Sequence, residues 1–168
     1  MPLVTVTRRY RFSASHRLHT PLLDDARNFE VYGKCNNPYG HGHNYLLEVA
    51  IAGAPDELTG RLLPLGDLDR FVERVILKAL GYRDLNTQVA EFAALAPALV
   101  PTTENLAAVV AARLASEWPA AFPASIARLE MVRIHETERN IFEVRVYPAE
   151  RSESFAPAGG ETPATTCK

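Results

Sequence analysis

Residues 40–45 read Gly-His-Gly-His-Asn-Tyr and lead into a strand-like stretch, Asn44–Ile51. On a strand, side chains at positions i and i+2 point to the same face about 7 Å apart. His41 and His43 would therefore aim their imidazoles at one point. The glycines before and between them let the backbone bend sharply or come close to a ligand. Such a pair also fits an ordinary polar strand end, so its neighbours have to decide between the two interpretations.

A third histidine lies in an earlier strand-like segment, Phe12–Leu18, which reads Phe-Ser-Ala-Ser-His-Arg-Leu. If this segment pairs with the first one, His16 completes a set of three imidazole nitrogens. Three protein ligands are typical of catalytic zinc sites, which keep their fourth position for water or substrate. We therefore predict a zinc site formed by His16, His41 and His43.

Composition excludes several classes of protein. The 168 residues predict one domain, with ordinary contents of apolar (47%) and charged (23%) residues. A net charge of −2 gives no electrostatic basis for binding nucleic acid or an anionic membrane. We find no apolar run of membrane-spanning length and no secretory signal. Two cysteines, Cys35 and Cys167, are too few for a disulfide framework, so we expect a reducing, cytoplasmic location.

The order of predicted elements is strand, strand, helix, helix, strand, strand. The predicted strands are Leu3–Leu18, Asn44–Gly53, Ser125–Glu136 and Ile141–Tyr147, and the helices run from Asp67 to Gly81 and from Pro101 to Pro119. Leu22–Tyr39, without a hydrophobic period, is predicted to be a long loop. This order favours an α+β fold, a four-stranded antiparallel sheet with two helices packed on one face. Residues 1–148 form the predicted domain, and residues 149–168 a disordered tail.

Four segments together resemble the 6-pyruvoyl-tetrahydropterin synthase family. They are Phe12–Leu18, Gly33–Tyr45, Pro101–Asn105 and Glu136–Asn140. The related 6-carboxytetrahydropterin synthases share the fold and the zinc histidines, but their cysteine usually lies closer to the histidine pair. Here five residues separate Cys35 from His41, which favours the pyruvoyl type.

The resemblance implies a T-fold subunit, three copies of which close a β-barrel, with two trimers stacked into a hexamer. It also implies pterin pockets between subunits and a zinc-dependent lyase that eliminates triphosphate from 7,8-dihydroneopterin triphosphate. The product would be 6-pyruvoyl-tetrahydropterin, in tetrahydrobiopterin biosynthesis.

The same resemblance assigns roles to individual residues. His16, His41 and His43 match the zinc ligands, Cys35 the proton-abstracting thiol, Glu136 the carboxylate that anchors the pterin, and Thr102 and Thr103 pocket residues. Simpler interpretations stay open for some of them. Glu136 could pair with Arg139 across the hairpin, and the threonines could merely cap a helix.

One part of the family pattern is absent. Where the family has Leu-Asp-His, with the Asp and His assisting the cysteine, residues 80–82 read Leu-Gly-Tyr. Three explanations follow. Tyr82 as a general acid, or the imidazole of His135, could replace the relay. The protein could run another zinc-dependent reaction, such as carboxypterin synthesis. Lastly, it could bind a pterin without turnover. His19, the remaining histidine, is predicted to be structural or solvent-facing.

Overall fold

The computed structural model describes residues 3–93, 99–123 and 127–146. Their elements follow in chain order: β1 (Val4–His16), α1 (Asp25–Tyr32), a 3-10 turn (Gly33–Asn36), β2 (His41–Gly53), α2 (Leu65–Val72), a π-helical turn (Glu73–Leu77), α3 (Lys78–Leu80), β3 (Arg83–Asp84), α4 (Leu85–Gln88), α5 (Ala90–Ala93), α6 (Thr103–Ala121), β4 (Arg128–His135) and β5 (Ile141–Arg145). The predicted tail, residues 149–168, lies outside the described residues.

The sheet has the strand order β3-β1-β2-β4-β5. Its four long strands are antiparallel, as predicted, and helices cover one face. A fifth strand was not predicted: β3 pairs in parallel with β1 at Ala14 and Ser15 over two residues. A two-residue strand has no periodicity that a sequence pattern could reveal.

The core lies between the sheet and the helices. Alternate residues of β2 point towards the helices, and Tyr45, Leu47, Val49 and Ile51 are fully buried there. They pack with Leu68 and Ile76 of the second helical region and with Leu106, Val110 and Leu114 of α6. On the opposite face, the carboxylate of Glu48 accepts hydrogen bonds from Arg9 and Arg133. Among the described residues, none of the helices combines the length and the apolarity that a membrane span requires.

The predicted loop Leu22–Tyr39 contains a helix, so that prediction is wrong. Asp24 caps α1 by accepting from the backbone N–H of Arg27 at 2.8 Å. Buried Asn28 ties the helix to the preceding turn by donating to the carbonyls of Thr20 and Leu23. Helix α1 is mostly exposed, and the residue that it buries is the polar Asn28. Its sequence therefore has no hydrophobic stripe that would predict a helix.

Helix limits also differ from the prediction. The first long helix begins at Leu65, two residues before Asp67, and continues through the π-helical turn to Leu80. The last one extends to Ala121, with Pro119 inside its final turn. Proline has no N–H to donate to the carbonyl four residues earlier, so the helix loses one hydrogen bond, close to its end.

Candidate active site

The pairing of β1 with β2 brings the three predicted zinc ligands together. His16 lies directly opposite His41, and His43 is two residues further along the same face. Their ring centroids are 4.6, 4.9 and 5.1 Å apart, and one nitrogen from each ring lies within 4.8 Å of the others. This group could hold a metal ion, and it rests on rigid, fully paired backbone.

Hydrogen bonding leaves the ring nitrogens of this group available. Nδ1 of His16 lies 2.7 Å from the carbonyl oxygen of Pro101, so it must donate its proton there. In the neutral ring the lone pair is then on Nε2, which lies 3.1 Å from Nε2 of His41. Nε2 of His43 is buried and has no hydrogen-bond partner among the described residues. A buried nitrogen without a partner is costly, and a bound cation would satisfy it.

Burial keeps two of these rings neutral. It lowers the pKa of His16, against the opposing effect of the hydrogen bond to Pro101. It also lowers the pKa of His41, and the neighbouring His43 acts in the same direction. Since imidazole binds metals in its neutral form, the site is prepared for a cation at neutral pH.

Glu136 lies beside the histidines, immediately after β4. Its Oε1 accepts from the hydroxyl of Thr103 at 2.5 Å and lies 3.8 Å from Nε2 of His43, and its Oε2 accepts from Nδ2 of Asn140 at 3.2 Å. Burial raises the pKa of this carboxyl, but the hydrogen bonds from Thr103 and Asn140 outweigh it and leave the pKa below its ordinary value. Glu136 is therefore ionised. Its hydrogen-bond partners are Thr103 and Asn140, and not Arg139 as the alternative interpretation suggested.

The two threonines at the start of α6 differ in role. Thr102 caps the helix by accepting from the backbone N–H of Asn105 at 3.3 Å. Thr103, buried, orients Glu136 instead. Thr102 therefore caps the helix, as the simpler interpretation suggested, whereas Thr103 hydrogen-bonds to the carboxylate of Glu136.

These groups face one cleft of about 880 Å³, in the size range of small-molecule sites. Cys35, the three histidines, Thr102, Thr103 and Glu136 all line it. Cys35 is half-buried with a free thiol, in the 3-10 turn that follows α1. Lys34 beside it gives the cleft rim a positive charge.

Gly40 allows the loop before β2 to pass close to the first strand. Its φ is +67°, and a Cβ there would lie 3.0 Å from the carbonyl oxygen of His16. Both the left-handed backbone and the close approach require glycine. The loop can therefore deliver His41 directly opposite His16.

Tyr82 and His135, the predicted substitutes for the relay, do not line this cleft in the described part of the chain. Tyr82 is 92% exposed on the outside of the turn after α3. His135 lies on the opposite face of the sheet, where its Nε2 is 3.5 Å from Oε1 of Glu48. His135 was suggested because it adjoins Glu136 in sequence, but neighbours along a strand face opposite sides.

The backbone around Gly81 is unusual. A Cβ at this position would lie 2.5 Å from the carbonyl oxygen of Leu77, so any side chain forces a rearrangement. The left-handed conformation falls on Tyr82, with φ of 58° and its N–H donating to the carbonyl of Ser13 at 2.6 Å. This turn fits Gly-Tyr and does not fit an aspartate in place of the glycine.

Sequence reasoning missed three contributors. The carbonyl of Pro101 orients His16, and a backbone group leaves no sequence signal. Asn140 supports Glu136 across the turn; its place at the end of the Glu136–Asn140 motif was the available clue. Tyr45, two residues after His43, backs that ring with a centroid distance of 5.5 Å.

Comparison with known proteins gives a consistent result. Residues 5–146 match the family model described as 6-pyruvoyl tetrahydropterin synthase. The chain is 47% identical over 136 residues to the 6-pyruvoyl tetrahydrobiopterin synthase of Poecilia reticulata, covering 81% of this chain and 86% of that protein. It is 40% identical over 136 residues to the enzyme of the same name from Homo sapiens, covering 81% and 87%.

Solved structures agree with the sequence comparison. The 6-pyruvoyl tetrahydropterin synthase of Caenorhabditis elegans superposes with a TM-score of 0.75 at 38% identity, over 88% of this chain and 98% of that one. The Plasmodium vivax protein of that name superposes with a TM-score of 0.59 at 14% identity, over 86% and 98%, a likeness of fold alone.

Proposed function

The chain belongs to the 6-pyruvoyl tetrahydropterin synthase family, and we propose that it is a zinc-dependent lyase that eliminates triphosphate from 7,8-dihydroneopterin triphosphate to give 6-pyruvoyl-tetrahydropterin. The observation that carries this proposal is the single cleft shared by the three histidines, Cys35 and Glu136. The pyruvoyl-type spacing from Cys35 to His41 supports it further.

Zinc is the proposed metal because all three donors are imidazole nitrogens, a set common to catalytic zinc sites. His16 would bind through Nε2, since Pro101 holds its Nδ1. When bound, zinc supplies Lewis acidity, which polarises the hydroxyl-bearing side chain of the substrate and makes its protons easier to remove.

Glu136 is the proposed anchor for the pterin ring. An ionised carboxylate has about four acceptor sites, and Thr103 and Asn140 occupy two of them. The remaining sites match two parallel N–H donors on the edge of a pterin. Charge-assisted pairs of this kind orient a ligand as well as bind it.

Cys35 is the proposed base. Its thiolate would take a proton from a substrate side-chain carbon, and triphosphate would leave with the electron pair of its C–O bond. The resulting enol would tautomerise to a methyl ketone. The neighbouring C1′ alcohol would become the second ketone as its hydrogens shift to N5 and C6 of the dihydropterin ring, which is thereby reduced to the tetrahydropterin. In one subunit neither Tyr82 nor His135 reaches the cleft, so Tyr82 could act as a general acid only in the cleft of another copy.

A barrel of several subunits is part of the proposal. In the described residues, β5 ends the sheet on one side, and β3 covers β1 only at Ala14 and Ser15 on the other. Most of the β1 edge therefore keeps backbone donors and acceptors for a neighbouring copy. Unpaired edges of this kind are normally closed by pairing.

The test is an assay of the zinc-loaded protein with 7,8-dihydroneopterin triphosphate, following triphosphate and acetaldehyde with metal analysis of the same sample. Triphosphate without acetaldehyde is the expected result. Acetaldehyde would indicate the carboxypterin reaction, and unchanged, retained substrate would indicate a binding protein. Cys35→Ala should lower turnover by about 10²–10⁴-fold while keeping pterin affinity, and wild-type rates would remove the thiol from the mechanism.

A further inference from the structure

The turn that carries Cys35 is attached to the chain just beyond the first predicted zinc ligand. The backbone N–H of Leu18 donates to the carbonyl oxygen of Cys35 at 2.9 Å. Leu18 follows His16 by two residues. The 3-10 turn Gly33–Asn36 has only four residues, too few to hold its position by its own hydrogen bonds. Its position in the cleft is set by α1, to which Gly33 is bonded, and by such outside contacts.

Arg17 makes the most extensive of these contacts. Its Nε donates to the carbonyl oxygen of Asn36 at 3.0 Å, and its Nη2 donates to Oδ1 of the same residue at 3.0 Å. Nδ1 of His19 lies 3.0 Å from that oxygen as well. One rigid guanidinium thus holds both the backbone and the side chain of the residue next to Cys35. A lysine ammonium, being a single point donor, cannot reproduce this fork.

The backbone of Arg17 is itself fixed. Its N–H donates to Oδ1 of Asn86 at 2.7 Å, and its carbonyl accepts from Nδ2 of Asn86 at 2.9 Å. Asn86 lies in α4, where its own N–H donates to the carboxylate of Asp84 at 2.8 Å. Arg17 is therefore held from one side and holds the Cys35 turn on the other.

We propose that Arg17 is the positioning residue for the Cys35 thiol, fixing the turn against the strand end that supplies His16. Arg17 touches neither the metal ligands' nitrogens nor the thiol, and acts through Asn36. The benefit to turnover rests on the proposed function of Cys35, whereas the tether itself follows from the contacts.

The experiment compares zinc-loaded wild type with Arg17→Lys. Four quantities are measured: zinc content, kcat and KM with 7,8-dihydroneopterin triphosphate, and the rate of Cys35 alkylation by iodoacetamide. The Cys35→Ala variant gives the background from Cys167. Arg113→Lys is the matched control, because Arg113 also donates two hydrogen bonds to one partner, Glu91, away from the cleft.

For Arg17→Lys we expect full zinc content, kcat at least tenfold lower, KM within threefold and alkylation at least threefold faster, since a loosened turn exposes the thiol. Arg113→Lys should keep wild-type values in all four. An alkylation rate equal to or below that of wild type in the folded, zinc-loaded variant would overturn the proposal. If wild type itself shows no turnover, the proposed function fails, and the alkylation comparison still decides the role of Arg17.

Discussion

The histidine group and the Gly81–Tyr82 turn lie at the same end of the sheet but are built differently. The histidines stand on β1 and β2, which pair without interruption along thirteen residues each. The turn leads into the two-residue strand β3, and the backbone of its tyrosine is in the left-handed conformation. Long pairing fixes where the imidazoles point, whereas a short connection accommodates a different sequence with a different backbone. The histidines therefore stand where long strand pairing fixes the backbone, and Gly81 and Tyr82 stand where the chain makes a short, tightly fitted connection.

The largest effect should follow from disrupting the histidine group on the paired strands. His41→Ala removes one of three clustered nitrogens, so zinc affinity should fall by more than about 100-fold, beyond the cost of losing an outer partner. Metal content by mass spectrometry, together with turnover, measures this. His135→Ala is the control, because it lies on the opposite face and should retain zinc. Full metal occupancy in His41→Ala would remove it from the site.

A smaller effect, a loss of pterin affinity, is expected from Glu136→Gln. This substitution keeps the shape of the side chain and removes its charge. Hydrogen bonds to charged groups contribute roughly 1 kcal/mol or more above neutral ones, and two of them correspond to about 10–100-fold weaker pterin binding. Ligand titration with the zinc-loaded protein measures it. Glu138→Gln, on the exposed turn two residues further on, should bind as wild type does. Equal affinities for both variants would contradict the anchor role.

The Gly81–Tyr82 turn can be tested through its effect on the free energy of unfolding. Gly81→Ala places a Cβ against the carbonyl oxygen of Leu77 and should destabilise the protein by about 1–3 kcal/mol. In Gly66→Ala the new Cβ would meet only the flexible tip of Arg70, at 3.6 Å, so we expect no loss. Denaturant unfolding of both variants gives the difference. If the two unfold alike, the turn is free to rearrange, and the double variant Gly81→Asp with Tyr82→His becomes a feasible test of the relay that the sequence resemblance implies.

The smallest effect is a pH dependence of the metal-free protein. Folding lowers the pKa of His16 below its ordinary 6.5, chiefly by burial. Below pH 6.5 the unfolded chain therefore binds a proton more readily than the folded one, and stability falls on acidification. One proton accounts for at most about 1.4 kcal/mol per pH unit. Thermal unfolding between pH 7.5 and 5.5 should show a shallower slope in His16→Gln, and an unchanged slope would exclude this group as the cause.

Much of this molecule could be predicted from its sequence because the decisive signals were periodic or local. Strand alternation placed His41 and His43 on one face, and helical spacing found the helix that ends at Leu80. The exposed helix α1 was missed because its residues bury almost nothing. The role suggested for His135 was based on adjacency to Glu136, which on a strand separates two side chains.

Contacts made by single backbone carbonyls with side chains or with a tight turn could not be predicted. The carbonyl of Pro101 orients the ring of His16. The carbonyl of Asn36 accepts from Arg17 and so holds the turn that carries Cys35. The carbonyl of Leu77 lies so close to position 81 that only glycine fits there. Every residue carries a carbonyl, so residue type says nothing about which one will be used. Only the folded chain shows which carbonyls these are.

The short stretch Pro101–Thr103 makes one site contact at each end, so its length matters. At one end its carbonyl orients the ring of His16, and at the other its hydroxyl orients Glu136. Inserting a single residue between them would displace one contact or the other and so uncouple the histidine group from the carboxylate of Glu136. Natural variants of this protein should tolerate insertions in the turn near Leu58 far better than at this spacer.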